Sequence, residues 1–271
     1  MSPPASRVPI NNATRPQRIV CLSAEAAEIC QRLGAWERIV GVSAYFNQAH
    51  NEPRPVISGF SGGSVEKIVV LEPDLVLTFS DVQAGLAAAL IRAGCTVLAT
   101  NQRTLAEIAD TICLLGRVIG CAEKAESLSA DFSQALAALR FEPTRRPRIY
   151  FEEWPEPMIS GIAWVGELIE LCGGTDLFTQ RRGKAAADRT VRSEEIIAAA
   201  PEIIIASWCG KPVDFAALRQ REGWTQIPAI QNGALFEIAS SAILQPGPAL
   251  LEGARQLAEI IKNWEKTQPQ H

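Results

Sequence analysis

The sequence predicts an α/β protein of two Rossmann-like lobes, each with a central parallel sheet, joined by one long α-helix. Three observations carry this expectation. Short β-rich apolar runs alternate with helical patterns of about 10–15 residues, as βαβ units require. The order of elements in the first half recurs in the second. Between the halves, Ala122–Phe141 has an unbroken helical pattern.

Taken in order, the first strand covers Arg18–Leu22, and a helix over Ala24–Leu33 stops at Gly34. A strand follows near Ile39–Val42. A helix over Ser64–Leu71 leads through Glu72-Pro73 into the strand Asp74–Thr78. Gly94 ends the next helix, Thr96–Thr100 is strand, and the helix Leu105–Val118 closes the half. The second half opens on the strand Arg148–Phe151, and its helix Trp164–Leu171 ends at Cys172-Gly173-Gly174. The segment Glu194–Ile205 then parallels Glu66–Leu77 position for position. In both, a glutamate opens a short helix, a proline seven places later (Pro73, Pro201) stops it, and an aliphatic strand begins two places on. Proline fits there because it lacks a backbone donor and pushes the preceding residue out of the helical region. Equal spacing at matched places indicates duplication. In Ala122–Phe141, Leu128, Phe132, Leu136 and Leu139 form an apolar stripe near the 3.6 period. Such a helix spans about 30 Å, a stiff connection that would keep lobe closure small. A last helix, Ala249–Glu265, is expected to pack on the second lobe. The predicted organisation is a flexible N-terminus (1–17), an N-terminal lobe (18–120), a connecting helix (121–142) and a C-terminal lobe (143–271).

Bulk properties exclude several classes. With 47% hydrophobic and 21% charged residues, a well-buried core is expected. A net charge of −4 argues against nucleic acid, which needs clustered Lys and Arg, and the run Arg145-Arg146-Pro147-Arg148 is too short to change that. No stretch approaches the roughly 20 apolar residues of a membrane helix. Met1–Arg18 has no apolar central region and does not read as a signal peptide. The protein is therefore expected to be periplasmic if a leader precedes this sequence, and cytoplasmic if it is complete. The seven cysteines (Cys21, Cys30, Cys95, Cys113, Cys121, Cys172 and Cys209) form no CxxC pair, and with two histidines no structural zinc is expected. Most of them read as small buried hydrophobes, which suits a reducing compartment. HExxH and GxxxxGK[ST] are missing, as is GxGxxG after the first strand, so the chain reads as a binding protein and not an enzyme.

Aromatic residues are scarce, at 6%, yet they gather at predicted strand ends. Trp154 lies in Glu152-Glu153-Trp154-Pro155-Glu156-Pro157, read as a loop after the first strand of the second lobe. Trp164 stands at a helix start, and Trp208 and Cys209 follow the strand Ile203–Ala206. In the first lobe Tyr45-Phe46 and Phe79-Ser80 end or follow strands. Rigid aromatic area of this kind suits the walls of a ligand site. Glu153, Cys209 and His50 are candidate ligands to a metal carried by the bound molecule.

The element order, the paired Glu–helix–Pro–strand units and the long central helix resemble the metal-chelate class of ABC-importer substrate-binding proteins, including its cobalamin-binding members. The likeness runs from about Arg18 to Ile261. It implies a chelatase-like, helical-backbone fold, with the ligand in the cleft between the lobes, on loops at the carboxyl ends of the strands. It also implies that one glutamate per lobe docks into arginine pockets on the membrane subunits, and Glu66 and Glu194 stand at those positions. An exposed carboxylate suits bidentate recognition by arginine. Both also read as acidic residues favoured at a helix start, with Ser64 and Ser193 as caps. Six positions before these glutamates the resemblance implies aromatic grips. This chain has Phe60 and Asp188 there, and the second departs from the pattern, shifting the contact to other residues. The implied ligand is a corrinoid, then a ferric siderophore or haem. The implied partners are that metal chelate and the membrane and ATPase subunits of an importer, for a monomer with no cofactor of its own. The alternative is a cytoplasmic tetrapyrrole or metal-cofactor carrier, or a chelatase-like enzyme on the same fold.

Overall fold

The structure, a computed structural model, describes residues 15–49, 52–181, 183 and 185–268. The predicted N-terminal segment lies, up to residue 14, outside the described residues, and so does His50. The chain divides into two compact units: residues up to 100 together with 113–126, and residues 101–112 together with those from 127 onward.

The first unit contains β1 (Ile19–Cys21), α1 (Ala24–Arg32), β2 (Ile39–Ser43), β3 (Val56–Ser58), α2 (Val65–Val69), β4 (Leu75–Phe79), α3 (Ala84–Arg92) and β5 (Val97–Thr100). Two helices, α4 (Leu105–Val118) and α5 (Ala122–Ala137), contribute residues to both units. The sheet has the order β3-β2-β1-β4-β5 with every pairing parallel. Its central strands are aliphatic on both faces because helices cover both faces of a parallel sheet. All of β1, and β4 from Leu75 to Thr78, is buried. Val20, Leu22 and Val76 pack with Ile68, Leu86 and Leu90 to form one side of this core.

The second unit contains β6 (Arg148–Pro155), β7 (Met158–Ser160), α6 (Ala163–Leu171), β8 (Thr175–Asp176), α7 (Ser193–Ala199), β9 (Ile203–Ala206), α8 (Phe215–Arg219), α9 (Pro228–Gln231), β10 (Leu235–Glu237), α10 (Ser240–Ile243) and α11 (Leu250–Lys266). The order is β10-β9-β6-β7, with β8 beside the start of β6. Pairings are parallel except β6 with β7, an antiparallel hairpin added to the expected parallel sheet. Tyr150, Ile196, Ile204, Leu218 and Trp224 centre its core.

The two halves share a backbone device. In each helix–Pro–strand unit the residue before the proline is left-handed: Glu72 at φ 47° and Ala200 at φ 46°. Proline disfavours the right-handed helical region for its predecessor, so the chain leaves each helix abruptly at this point. β4 then pairs with β1 as β9 pairs with β6.

Two expectations are corrected. The connecting helix ends at Ala137, not Phe141, giving about 24 Å of helix at 1.5 Å per residue. Pro143 disfavours helix just beyond, and the Phe141 amide donates to the Leu171 carbonyl (3.2 Å). The predicted strand Arg148–Phe151 is also too short, since β6 runs on to Pro155. Among the described residues no helix is long and apolar enough to cross a membrane.

Candidate functional site

In open α/β sheets, ligands meet the carboxyl ends of the strands. In the first unit, β2 leaves the sheet into Tyr45 and Phe46. The Tyr45 ring, 40% exposed, meets that of Phe60, 54% exposed, edge to face with centroids 6.2 Å apart. Phe46 turns inward onto Trp36 (5.6 Å). Phe79, the last residue of β4, is half-buried.

Gln83, buried and not singled out from the sequence, ties these strand ends together. Its Nε2 donates to the carbonyls of Leu22 (2.8 Å) and Phe60 (3.1 Å), and its Oε1 accepts from the Phe79 amide (3.0 Å). Nearby in sequence, the Glu25 carboxyl lies buried in the first turn of α1. Burial is the main cause that pushes its pKa up to about 7, aided by the charge of Glu28 and opposed by the Ser23 hydroxyl and its own backbone amide.

In the second unit the extension of β6 places Glu152, Glu153 and Trp154 in the strand, not in the loop expected for them. Successive strand residues face opposite sides, so the two glutamates lie in different surroundings. Glu152 is fully buried. It accepts from the Tyr150 hydroxyl (3.1 Å), from Trp208 Nε1 (3.0 Å) and from both terminal nitrogens of Arg221, one at 3.0 Å. Tyr150 is held well above its ordinary pKa by burial and by the Glu152 charge. Glu153 forms a two-point pair with the buried Arg189, which also donates to the Ser160 carbonyl (2.7 Å).

The structure brings Trp154 and Trp208 together beneath one cation. Lys211 Nζ lies 4.3 Å from the centroid of Trp154 and 5.1 Å from that of Trp208. Both indole N–H groups are committed, Trp154 to the Glu156 carbonyl (2.9 Å) and Trp208 to Glu152. Trp208 is mostly buried and Trp154 half-exposed. Trp164, expected at the same rim, lies in the core instead: it is 2% exposed and donates to the Ile243 carbonyl (3.0 Å). Cys209 is half-buried, and its thiol is raised above the ordinary range by burial and then by the Glu153 charge. Asp188 is exposed and accepts from the Ala185 amide (3.1 Å).

Arg189, Arg221 and Lys211 were missed from sequence. A signal existed for the arginines, because two adjacent glutamates in an apolar strand need cations if the strand is buried. Which cations arrive depends on contacts 36 and 69 residues away.

Glu66 and Glu194 are both exposed in the first turns of matched helices. Ser64 caps α2, accepting from the Lys67 amide (3.2 Å) and donating to Glu66 (2.8 Å). The Glu66 carboxyl is held below its ordinary pKa by its own backbone amide and then by Ser64. Ser193 does not act as the expected cap. It is the first residue of α7, its hydroxyl accepts from Trp224 Nε1 (2.7 Å), and Glu195 instead closes the helix start onto the Arg192 amide (2.9 Å).

Several known proteins are similar. The uncharacterised ABC transporter substrate-binding lipoprotein YvrC of Bacillus subtilis is 25% identical over 95% of this chain and 83% of its own length. The vitamin B12-binding protein of Vibrio cholerae is 27% identical over 91% of this chain and 89% of its own. The periplasmic heme-binding protein RhuT of Roseiflexus shares the fold, with a TM-score of 0.78 at 22% identity, covering 92% of this chain and 99% of that one. The family of periplasmic binding proteins matches residues 19–242, and because this is a family of binding proteins, the chelatase-like enzyme is set aside. With its parallel sheets, duplicated helix–Pro–strand units and aromatic strand ends, the chain belongs to the periplasmic binding protein family.

Proposed function

We propose that this chain is the substrate-binding component of an ABC importer and captures a metal chelate, a corrinoid first and a haem or ferric siderophore next. The observation that carries the proposal is the aromatic surface at the strand ends of each unit. Tyr45 and Phe60 form it in the first, and Trp154, backed by the buried Trp208, in the second. Flat apolar area with few polar groups suits a macrocycle. Likeness to a vitamin B12-binding protein supports the corrinoid, and likeness to a substrate-binding lipoprotein supports a place outside the cytoplasmic membrane. Phe46, Phe79, Glu153 and Cys209 lie beside these surfaces in the chain and complete the proposed contact set. Trp164 would act only through packing. Glu66 and Glu194 serve as the docking carboxylates for the membrane subunits of a monomeric receptor.

Titration with cyanocobalamin, cobinamide, haemin and ferric siderophores, followed by tryptophan fluorescence, tests this. Saturable one-to-one quenching by at least one of them, weakened at least tenfold in Trp154→Ala, is the expected result. No binding to any of the four would overturn the metal-chelate reading.

A further inference from the structure

At the end of β6, two indole rings carry one cation, Lys211, that is paired with neither glutamate of the strand. Glu152 is committed to Arg221, and Glu153 to Arg189. Both glutamates within β6 are thus already taken. The Cys209 thiol, raised by its burial, supplies no negative charge either. Lys211 makes no ion pair among the described residues, yet its ammonium is held over two indole rings whose orientations are fixed by their own hydrogen bonds. Lysine on a protein surface ordinarily extends into water, since a cation–π contact at an exposed site returns little more than the rotamer entropy it takes. An ammonium parked on aromatic faces keeps N–H donors free on the side away from the rings, where an anion would complete it.

We propose that Lys211 is a specificity-determining residue that binds a carboxylate carried by the ligand, so that the site selects anionic metal chelates over neutral ones with the same macrocycle. This rests on the reading of the chain as a chelate receptor. Lys211, seated over the two indole faces, takes the charged edge of the ligand. Because the ammonium is positioned before the ligand arrives, little ordering remains to oppose binding.

The test uses matched pairs: haemin with free propionates against its bis-amide, and dicyanocobyrinic acid against its fully amidated form. Each is titrated into the wild type, Lys211→Met and Lys211→Arg, with unfolding midpoints confirming that the variants fold. For whichever macrocycle binds, the wild type prefers the carboxylate form by about tenfold or more, as a charge-assisted contact implies. Lys211→Met loses that preference by weakening on the carboxylate form alone, and Lys211→Arg retains it. Equal loss on both forms in Lys211→Met, or a wild type indifferent to amidation, would overturn the proposal while leaving the receptor reading intact. A wild type that binds neither macrocycle in either form, nor a ferric siderophore, overturns both.

Discussion

Glu25 shows how a single buried residue can tie stability to pH. In the unfolded chain its carboxyl titrates near the ordinary 4.5, and in the fold near 7. Between those values the unfolded state gives up its proton first, so stability falls as pH rises from about 4.5 to 7 and levels off above. The whole loss is about 3 kcal/mol at 1.36 kcal/mol per pH unit. Glu25→Gln should abolish the decline. Urea titrations are expected to find the variant more stable than the wild type by up to about 3 kcal/mol near pH 8, and equal to it near pH 4. Glu152 behaves differently, since its charge is met by a guanidinium, an indole and a phenol. Removing one partner of a buried pair costs about 3–5 kcal/mol. Arg221→Met is therefore expected to lower the unfolding free energy by that amount, and the double variant Glu152→Gln with Arg221→Met to recover much of it. A single variant within 1 kcal/mol of wild type would show that Tyr150 and Trp208 suffice to hold the carboxylate.

Among the elements, α4 and α5 depend on one close approach. A Cβ built at Gly116 would stand 2.0 Å from the Ala125 Cβ and 3.2 Å from the Cys121 carbonyl. Overfilling a packed contact usually costs about 1–3 kcal/mol, and here the obstacle includes backbone. Gly116→Ala should lower stability by at least the upper end of that range. Gly85→Ala is the control, since it meets nothing within 4 Å in helix α3 and should be neutral or slightly stabilising. Hydrogen exchange would localise the Gly116→Ala effect to the ends of α4 and α5 where they meet.

For the whole molecule, binding and docking should separate. A ligand that binds only the folded state adds about 2.7 kcal/mol at a hundredfold excess over its dissociation constant, so the melting midpoint should climb with chelate concentration. Glu66→Arg and Glu194→Arg are exposed changes at first turns and should leave that climb intact. If the proposed docking role holds, reconstituted uptake is expected to fall at least tenfold in each and further in the pair, because like charges would face the arginine pockets that the resemblance implies. Loss of ligand binding in these variants would place the glutamates in the binding surface instead.

Composition, element order and the duplication were legible in the chain because they rest on local rules. Most predicted strands and helices end within a residue of their observed limits. Periodicity and the Gly and Pro stops operate over a few residues, and both Pro-terminated units carry the same left-handed residue before the proline. The glutamates at matched helix starts and Tyr45 at a strand end were visible for the same reason, whereas Phe60 was singled out by the family resemblance and its contact with Tyr45 by the structure. Where the reading fell short, the deciding contact was distant. β6 runs on through Glu152 and Trp154 because β7 and β9 pair with it. Trp164 is drawn inward by the Ile243 carbonyl, 79 residues away. Ser193 gives its hydroxyl to Trp224 and not to its own helix. An alternating pattern of buried and exposed residues says that a strand has two faces, but not which arginine will meet its glutamate. Charge pairing over 36 and 69 residues is set by the fold that brings the partners together. The sequence by itself therefore determined the architecture and the kind of surface at the strand ends. Only the tertiary structure decided which side chains are spent on one another, because burial and pairing are properties of neighbours in space.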